Sequence, residues 1–261
     1  MKYILPAAAC CMLILSAFDV QAQEPVPGLQ PAAKPDATVK EILTGLDKVS
    51  YGYDDQFMQV PLIIRDVDGK EKKYEMNVTM RGKYQRLIEF TSGESKGMKV
   101  LFAAKDEMYI YLPAFKKVRR LAAHNMKEKF MGSDVTNSEM GSILYSEDYE
   151  GEIIKQDADF WWVKVTPKTG TLDIFAYRVL KVGKQRYDMA VTEYYEAGKD
   201  KPVKIMEMIG EWRNFGGVWR KTLARWTDTA TNHQTDTAVN EWKVNKGISE
   251  SKFSTRNMQW E

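Results

Sequence analysis

The chain has 261 residues, of which 44% are apolar, 28% charged and 11% aromatic, an apolar share too high for a disordered chain and ordinary for one or two packed domains. Lys and Arg number 38 against 36 Asp and Glu, a net charge of +2 that argues against a nucleic-acid binder. With 2 Cys and 2 His, the inventory is too poor for a disulfide framework or a Cys/His zinc site.

Residues 1–22 read as a cleavable signal peptide. Lys2 supplies the positive start, Ile4 to Phe18 is a short apolar run, and Val20-Gln21-Ala22 ends it, predicting cleavage after Ala22. Both cysteines, Cys10 and Cys11, fall inside this run. Ala7-Ala8-Ala9-Cys10 offers an alternative, a lipidated Cys10, against which the apolar run continues through Met12 to Leu15. Export would take the protein to the periplasm. No later stretch reaches the about 18 apolar residues of a spanning helix.

Residues 23–37 hold Pro25, Pro27, Pro31 and Pro35 and read as an extended linker; residues 38–261 read as one domain. Thr38-Val39-Lys40-Glu41 matches a capping box. Val39, Ile42, Leu43, Leu46 and Val49 then repeat on one helical face, interrupted only by Gly45.

Beyond this helix the period becomes two. Tyr74, Met76, Val78 and Met80 point one way, and Glu75, Asn77, Thr79 and Arg81 the other. Asp68-Gly69 is a hairpin signal joining this strand to Phe57–Asp66. Further strands are predicted at 84–90, 99–103, 108–112, 117–121, 149–155, 161–166, 172–182, 187–195, 203–212, 218–226 and 235–244, separated by glycine turns. The pattern is that of an antiparallel meander, closed or partly closed into a barrel. Ala122 to Tyr145 breaks the alternation, with a short helix predicted over Asn137–Tyr145; a segment of this length is a candidate lid.

Catalytic signatures are sparse. After export no cysteine remains, His124 and His233 are the only imidazoles, and neither Ser133 nor Ser142 sits in a nucleophile elbow. A triad of either serine with either histidine is open on composition alone. Asp54-Asp55 and Glu147-Asp148 read as solvated turn acids, no metal spacing occurs, and no phosphate loop is present, so no cofactor or metal is expected. The abundant apolar side chains on strands have two readings, a filled core or the lining of a ligand cavity. Lys116, Lys117, Arg119 and Arg120 also have two, a charged edge that discourages strand pairing or a contact for an anionic head group or acidic partner.

Several local motifs are similar to one family. Tyr109-Ile110-Tyr111-Leu112-Pro113 with Lys117-Val118-Arg119-Arg120 resembles its Y-L-P…R-V-R-R block, without the usual Trp. Phe130-Met131-Gly132-Ser133-Asp134 resembles its F-M-G-S-D motif, although Val135-Thr136-Asn137 follows where an aromatic and acidic run is usual. His233-Gln234-Thr235 resembles its G-H-x-T element, with Asn232 in place of Gly. Asn245-Lys246-Gly247-Ile248, Phe253 and Asn257 resemble its C-terminal N-x-G-I…F-T-x-x-N run, with Ser254 in place of Thr. The family is that of outer-membrane lipoprotein-sorting-like proteins of Gram-negative bacteria, relatives of the carrier LolA and the receptor LolB.

The resemblance implies a mainly β fold: an incomplete antiparallel barrel of about eleven strands, with helices covering its open side. It implies a periplasmic carrier that holds the acyl chains of lipoproteins or other lipids, a partner of the RND-type transporters, without enzymatic activity. The alternative is a lipid-sensing or transporter-associated module that shuttles no cargo. A monomer is expected. Met76, Val78, Met80, Ile88, Phe90, Leu101, Tyr109, Tyr111, Phe130 and Met131 are the candidate lipid contacts, and Lys116, Lys117, Arg119 and Arg120 the candidate head-group or partner contacts.

Overall fold

Thr38 and Glu41 start the first helix as their spacing predicts. The Glu41 amide donates to Thr38 Oγ1 at 3.3 Å, and the Thr38 amide donates to Glu41 Oε2 at 2.9 Å. The computed structural model describes residues 36–259, so the signal peptide and all but the last two residues of the linker lie outside the described residues. Helix α1 runs Val39–Tyr51 and buries Ile42, Leu43, Leu46 and Val49 on one face. Gly45 has a packing reason: a Cβ there would lie 2.5 Å from the Tyr187 ring, which stacks on Trp161.

Fourteen strands follow, all in one antiparallel sheet. They are β1 (Asp55–Arg65), β2 (Glu71–Arg81), β3 (Gln85–Phe90), β4 (Lys99–Ala104), β5 (Glu107–Leu112), β6 (Lys117–Arg120), β7 (Tyr149–Gln156), β8 (Phe160–Pro167), β9 (Tyr177–Gly183), β10 (Met189–Tyr195), β11 (Lys204–Phe215), β12 (Val218–Asp228), β13 (Gln234–Ala238) and β14 (Glu241–Val244). Their order is β6-β5-β4-β3-β2-β1-β13-β12-β11-β10-β9-β8-β7, with β14 beside β1. The chain thus begins in the middle, builds outward to β6, crosses over, restarts at β7 and returns to close on β1.

The count is fourteen, not about eleven. The predicted strand 235–244 is two strands, which take turns beside β1: Leu62–Arg65 pairs β13 and Gln56–Gln59 pairs β14. The predicted strand from Leu172 begins at Tyr177, because Asp173 holds Arg178 and the Phe175 amide in a loop. Tyr187 has φ +52° and stays outside β10.

Residues 122–148 form the crossover between β6 and β7. The single helix predicted at Asn137–Tyr145 is instead two short ones, α2 (Asn137–Met140) and α3 (Tyr145–Asp148). Thr136 and Glu139 form a second capping box for α2.

Two covers divide the sheet faces. On the inner face, α1 packs with Trp161, Val163, Val165, Leu180 and Val182 of β8 and β9. Gly151 of β7 permits that close approach, since a Cβ would lie 2.9 Å from Val39 Cγ1. The crossover packs Met126 and Phe130 onto Met76, Val78, Met80, Ile88, Phe90, Val100, Phe102 and Met108. On the outer face, the C-terminal segment lays Phe253 and Met258 over Leu87 and Leu101. Thr79, in register with Leu87, is fully buried there. No helix among the described residues is long and apolar enough to cross a membrane, which says nothing of strands.

Candidate functional site

The crossover is tied to the sheet by polar side chains, and the resembling motifs supply the first of these ties. Phe130 inserts into the inner core, and Met131 (φ +53°) and Gly132 (φ +80°) then turn the chain through the left-handed region. That turn delivers Asp134, 4% exposed, to the sheet. Its amide donates to Thr235 Oγ1 at 2.8 Å, and its carboxylate accepts from the same hydroxyl at 2.8 Å. His233 Nδ1 lies 2.7 Å from Asp134 Oδ2. The F-M-G-S-D and H-x-T motifs are therefore the two halves of one latch. Ser133 donates its hydroxyl to the Val135 carbonyl and accepts from the Val135 amide, so it serves the turn.

A buried ionic cluster continues the latch. Glu139 of α2 accepts from Lys204 Nζ of β11 at 2.7 Å, and Lys204 also donates to the Asp134 carbonyl at 3.0 Å. Arg178 of β9 lies 3.7 Å from Glu139 and clamps Asp173 with Nε at 3.0 Å and Nη2 at 2.9 Å. Burial pushes the Glu139 carboxyl up, but Lys204 and Arg178 outweigh it and hold it below its ordinary range. Arg86 of β3 donates to the Met140 carbonyl from the other half of the sheet.

The far end of the crossover is held by α1. Leu144, at the N-cap of α3, offers no capping side chain. Asp47 takes that role: its carboxylate accepts from the Tyr145 amide at 2.9 Å and from the Ser146 amide at 2.8 Å. Burial nevertheless pushes the Asp47 carboxyl up. Glu147 binds Lys83 and Tyr84, and Asp148 binds Lys105.

Between α1, the crossover and β10–β12 lies a cavity of about 180 Å³. Leu46 and Tyr51 of α1, Val135, Ile143 and Tyr145 of the crossover, and Met189, Tyr194, Met206 and Trp226 of the sheet line it. Asp47, Ser50 and Glu139 are its polar edge. The volume is near the roughly 150 Å³ that admits a benzene-sized guest and below the about 300 Å³ of small-molecule pockets. A longer apolar guest requires the cover to move, and that cover is held by the polar contacts just described together with the apolar packing of α1, Met126 and Phe130.

None of the ten candidate lipid contacts lines this cavity. Met76, Val78, Met80, Ile88, Phe90 and Phe130 are buried together in the inner core of β1–β5, with Met131 packed at its side. Leu101, Tyr109 and Tyr111 lie on the opposite face, under the C-terminal segment. The cause is the register, which sets Leu101 against Leu87 and Tyr109 rather than in line with Ile88 and Val100. The cavity residues on β10–β12 share one face by the same alternation, but nothing in their spacing marks the gap above them. The F-M-G-S-D and H-x-T motifs marked the latch in the sequence, whereas the capping-box spacing of Thr136 and Glu139 was missed.

Lys116, Lys117, Arg119 and Arg120 are exposed at the β6 edge. Alternation places Lys117 and Arg119 on one face and Arg120 on the other, in register with Tyr109. Asp55 is not the solvated turn acid its sequence predicts. It is 2% exposed, and its carboxylate accepts from the amides of Lys246, Gly247 and Ile248 at 2.7–3.1 Å. The N-x-G-I motif is thus an anion nest, closed by Asn245 (φ +53°) and Gly247 (φ +75°). Among the described residues no group of three or more His, Cys, Asp or Glu is placed to hold a metal ion.

A family model described as "-like: Uncharacterized protein" matches residues 82–260. No curated protein matches the sequence. Among solved structures, the chain is similar to an outer membrane lipoprotein-sorting protein domain from Vibrio parahaemolyticus. The TM-score is 0.75 at 19% identity, covering 84% of this chain and 97% of that one. A protein of a domain family of unknown function from Desulfovibrio piger also gives 0.75, at 21% identity over 84% and 97% of the two chains. A LolA superfamily protein from Nitrosomonas europaea gives 0.71, at 16% identity over 85% and 99%. The chain belongs to the family of uncharacterised proteins whose model spans residues 82–260, and its fold is the LolA-like fold of outer-membrane lipoprotein-sorting domains.

Proposed function

We propose that the protein is an exported, non-enzymatic carrier that takes up an acyl chain of a lipoprotein or another lipid beneath α1 and the crossover, in the periplasm. The observation that carries this reading is the apolar cavity of about 180 Å³ between a rigid sheet and a cover latched by polar contacts. Opening the cover extends an existing apolar space, at the cost of some α1 contacts with β8 and β9. Each CH₂ transferred from water contributes about 0.8 kcal/mol, so a chain of roughly a dozen carbons gains about 10 kcal/mol and offsets the loss of one or two buried ion pairs at about 3–5 kcal/mol each. The resemblance to lipoprotein-sorting motifs supports transfer toward the outer membrane, with an RND-type transporter as the partner.

The test is native mass spectrometry of protein purified from a Gram-negative envelope, together with titration of a fluorescent fatty acid. Co-purified lipid and saturable, displaceable probe binding are expected. Protein that is empty in every preparation and binds no acyl probe overturns the proposal. A second reading, a module that senses lipid without shuttling it, draws on the exposed basic edge β6. It predicts that bound lipid stays with the protein when acceptor vesicles are added, whereas a carrier releases it.

A further inference from the structure

The turn between β5 and β6 presents an aromatic side chain to solvent amid cations. Pro113–Phe115 is a single 3₁₀ turn, and Lys116 leaves it at φ +50°. Phe115 is 65% exposed, matched among large apolar side chains of the described residues only by Val67 at 66%. Lys116 follows it in the turn, and Lys117, Arg119 and Arg120 continue along β6, all exposed. Of these four, only Arg120 has a carboxylate within 4 Å among the described residues, Glu107 at 3.9 Å.

Register brings the two exposed apolar tips to one end of the sheet. Arg65 pairs Glu71 at the β1–β2 turn that carries Val67, and Leu112 pairs Lys117 at the turn that carries Phe115. Turns of a meander alternate between ends, so the β1–β2 and β5–β6 turns share one, with the β1–β2 turn projecting five residues further along its strands. At the Val67 turn Lys70 pairs with Asp68, so that tip adds apolar surface with little net charge.

Edge protection accounts for charge on β6 but not for an exposed phenylalanine beside it. A narrow protruding tip also offers far less than the roughly 800 Å² per partner of a stable protein interface. An aromatic ring flanked by cations is, in contrast, suited to the water–lipid boundary, where the ring enters the head-group layer and the cations meet phosphates. We propose that the β5–β6 tip docks the protein on an anionic phospholipid surface, with Phe115 inserted and Lys117 and Arg119 on the head groups. The proposal does not depend on what the cavity carries.

The test is flotation of the protein with phosphatidylcholine vesicles, with and without phosphatidylglycerol. Binding is expected only with phosphatidylglycerol and is weakened by salt. Replacing Lys117→Gln and Arg119→Gln together lowers the partition coefficient about 25-fold, roughly fivefold per cation, as ~1 kcal/mol per basic residue implies. Phe115→Ser lowers it several-fold with every charge intact. Both changes are at exposed positions, and unchanged thermal melting checks the fold. Equal binding to neutral vesicles, no vesicle binding, or indifference to either variant overturns the proposal. Vesicle indifference with cation-dependent capture of an acidic protein overturns it too, in favour of a protein partner. Loss of acyl-probe binding with vesicle docking retained removes the carrier reading and leaves this one standing.

Discussion

The inner face of the sheet is covered in two places, and the covers differ in chemistry. Over β1–β5 the crossover supplies Met126 and Phe130, which mesh with Met76, Ile88, Phe90 and Met108 into a filled core. Over β10–β12 the facing groups include Asp47 and Glu139, which are committed to amides and cations, and a cavity is left beside Met206, Tyr194 and Trp226. Apolar side chains on the sheet are common to both regions. What differs is that the second cover, apolar at Leu46, Val135 and Ile143, also brings charges that must be paired and leaves space unfilled. It therefore adds to its apolar contacts a set of ion pairs whose exchange loosens it.

Substitutions sharpen this contrast. The largest effect is expected at the latch. Glu139→Ala leaves Lys204 buried without a carboxylate and Arg178 with Asp173 alone, and costs about 3–5 kcal/mol in urea denaturation. A loss below about 1 kcal/mol would mean that the cluster does not hold the cover. Next comes the filled region: Ile88→Ala costs about 2–5 kcal/mol and leaves acyl-probe affinity unchanged, because Ile88 does not line the cavity. A tenfold fall in affinity at unchanged fold would move the cargo to β1–β5. Thr235→Val removes both bonds to Asp134 and costs about 1–3 kcal/mol, with faster hydrogen exchange confined to the crossover.

Acid provides the gentlest perturbation. The Glu139 carboxyl is pushed up by burial and pulled down further by Lys204 and Arg178, and its net position lies below the ordinary 4.5. A carboxylate lowered in the folded state contributes fully above its unfolded value and loses that contribution as pH falls through the folded one. Crossover protection is therefore expected to be steady above pH 4.5 and to decline below it, with the decline blunted in Glu139→Gln. Hydrogen exchange across that range checks this; loosening on raising the pH instead would assign the latch to other groups.

Much of this was legible in the sequence, and the limits have physical reasons. Period-two alternation located the strand regions, since one buried face is enough to impose it, but it ran β13 and β14 together and began β9 five residues early. The α1 capping box and apolar stripe placed the helix. Alternation also grouped Met76 with Met80 and Ile88 with Phe90 on one face each, but did not say that Leu101, Tyr109 and Tyr111 belong to the other, because relative register across turns is set by turn geometry. It separated Thr79 from Val78 but did not reveal that Thr79 is buried as well. The cavity was illegible for a further reason. Met206 and Trp226 look like core residues, and the side chains facing them across the space, Val135 and Glu139 among them, come from distant parts of the chain. His233 and Asp134 lie 99 positions apart, and their partnership is visible only once the sheet returns to its centre.

The most direct test is photo-crosslinking with a fatty acid carrying a diazirine near its methyl end, followed by peptide mapping. Labels on Met189, Tyr194, Met206 or Trp226, abolished by excess unlabelled fatty acid, are the expected result. Displaceable labels confined to Met76, Val78, Ile88 or Phe90 would contradict the account, as they would place the acyl chain within the filled core and not under the latched cover.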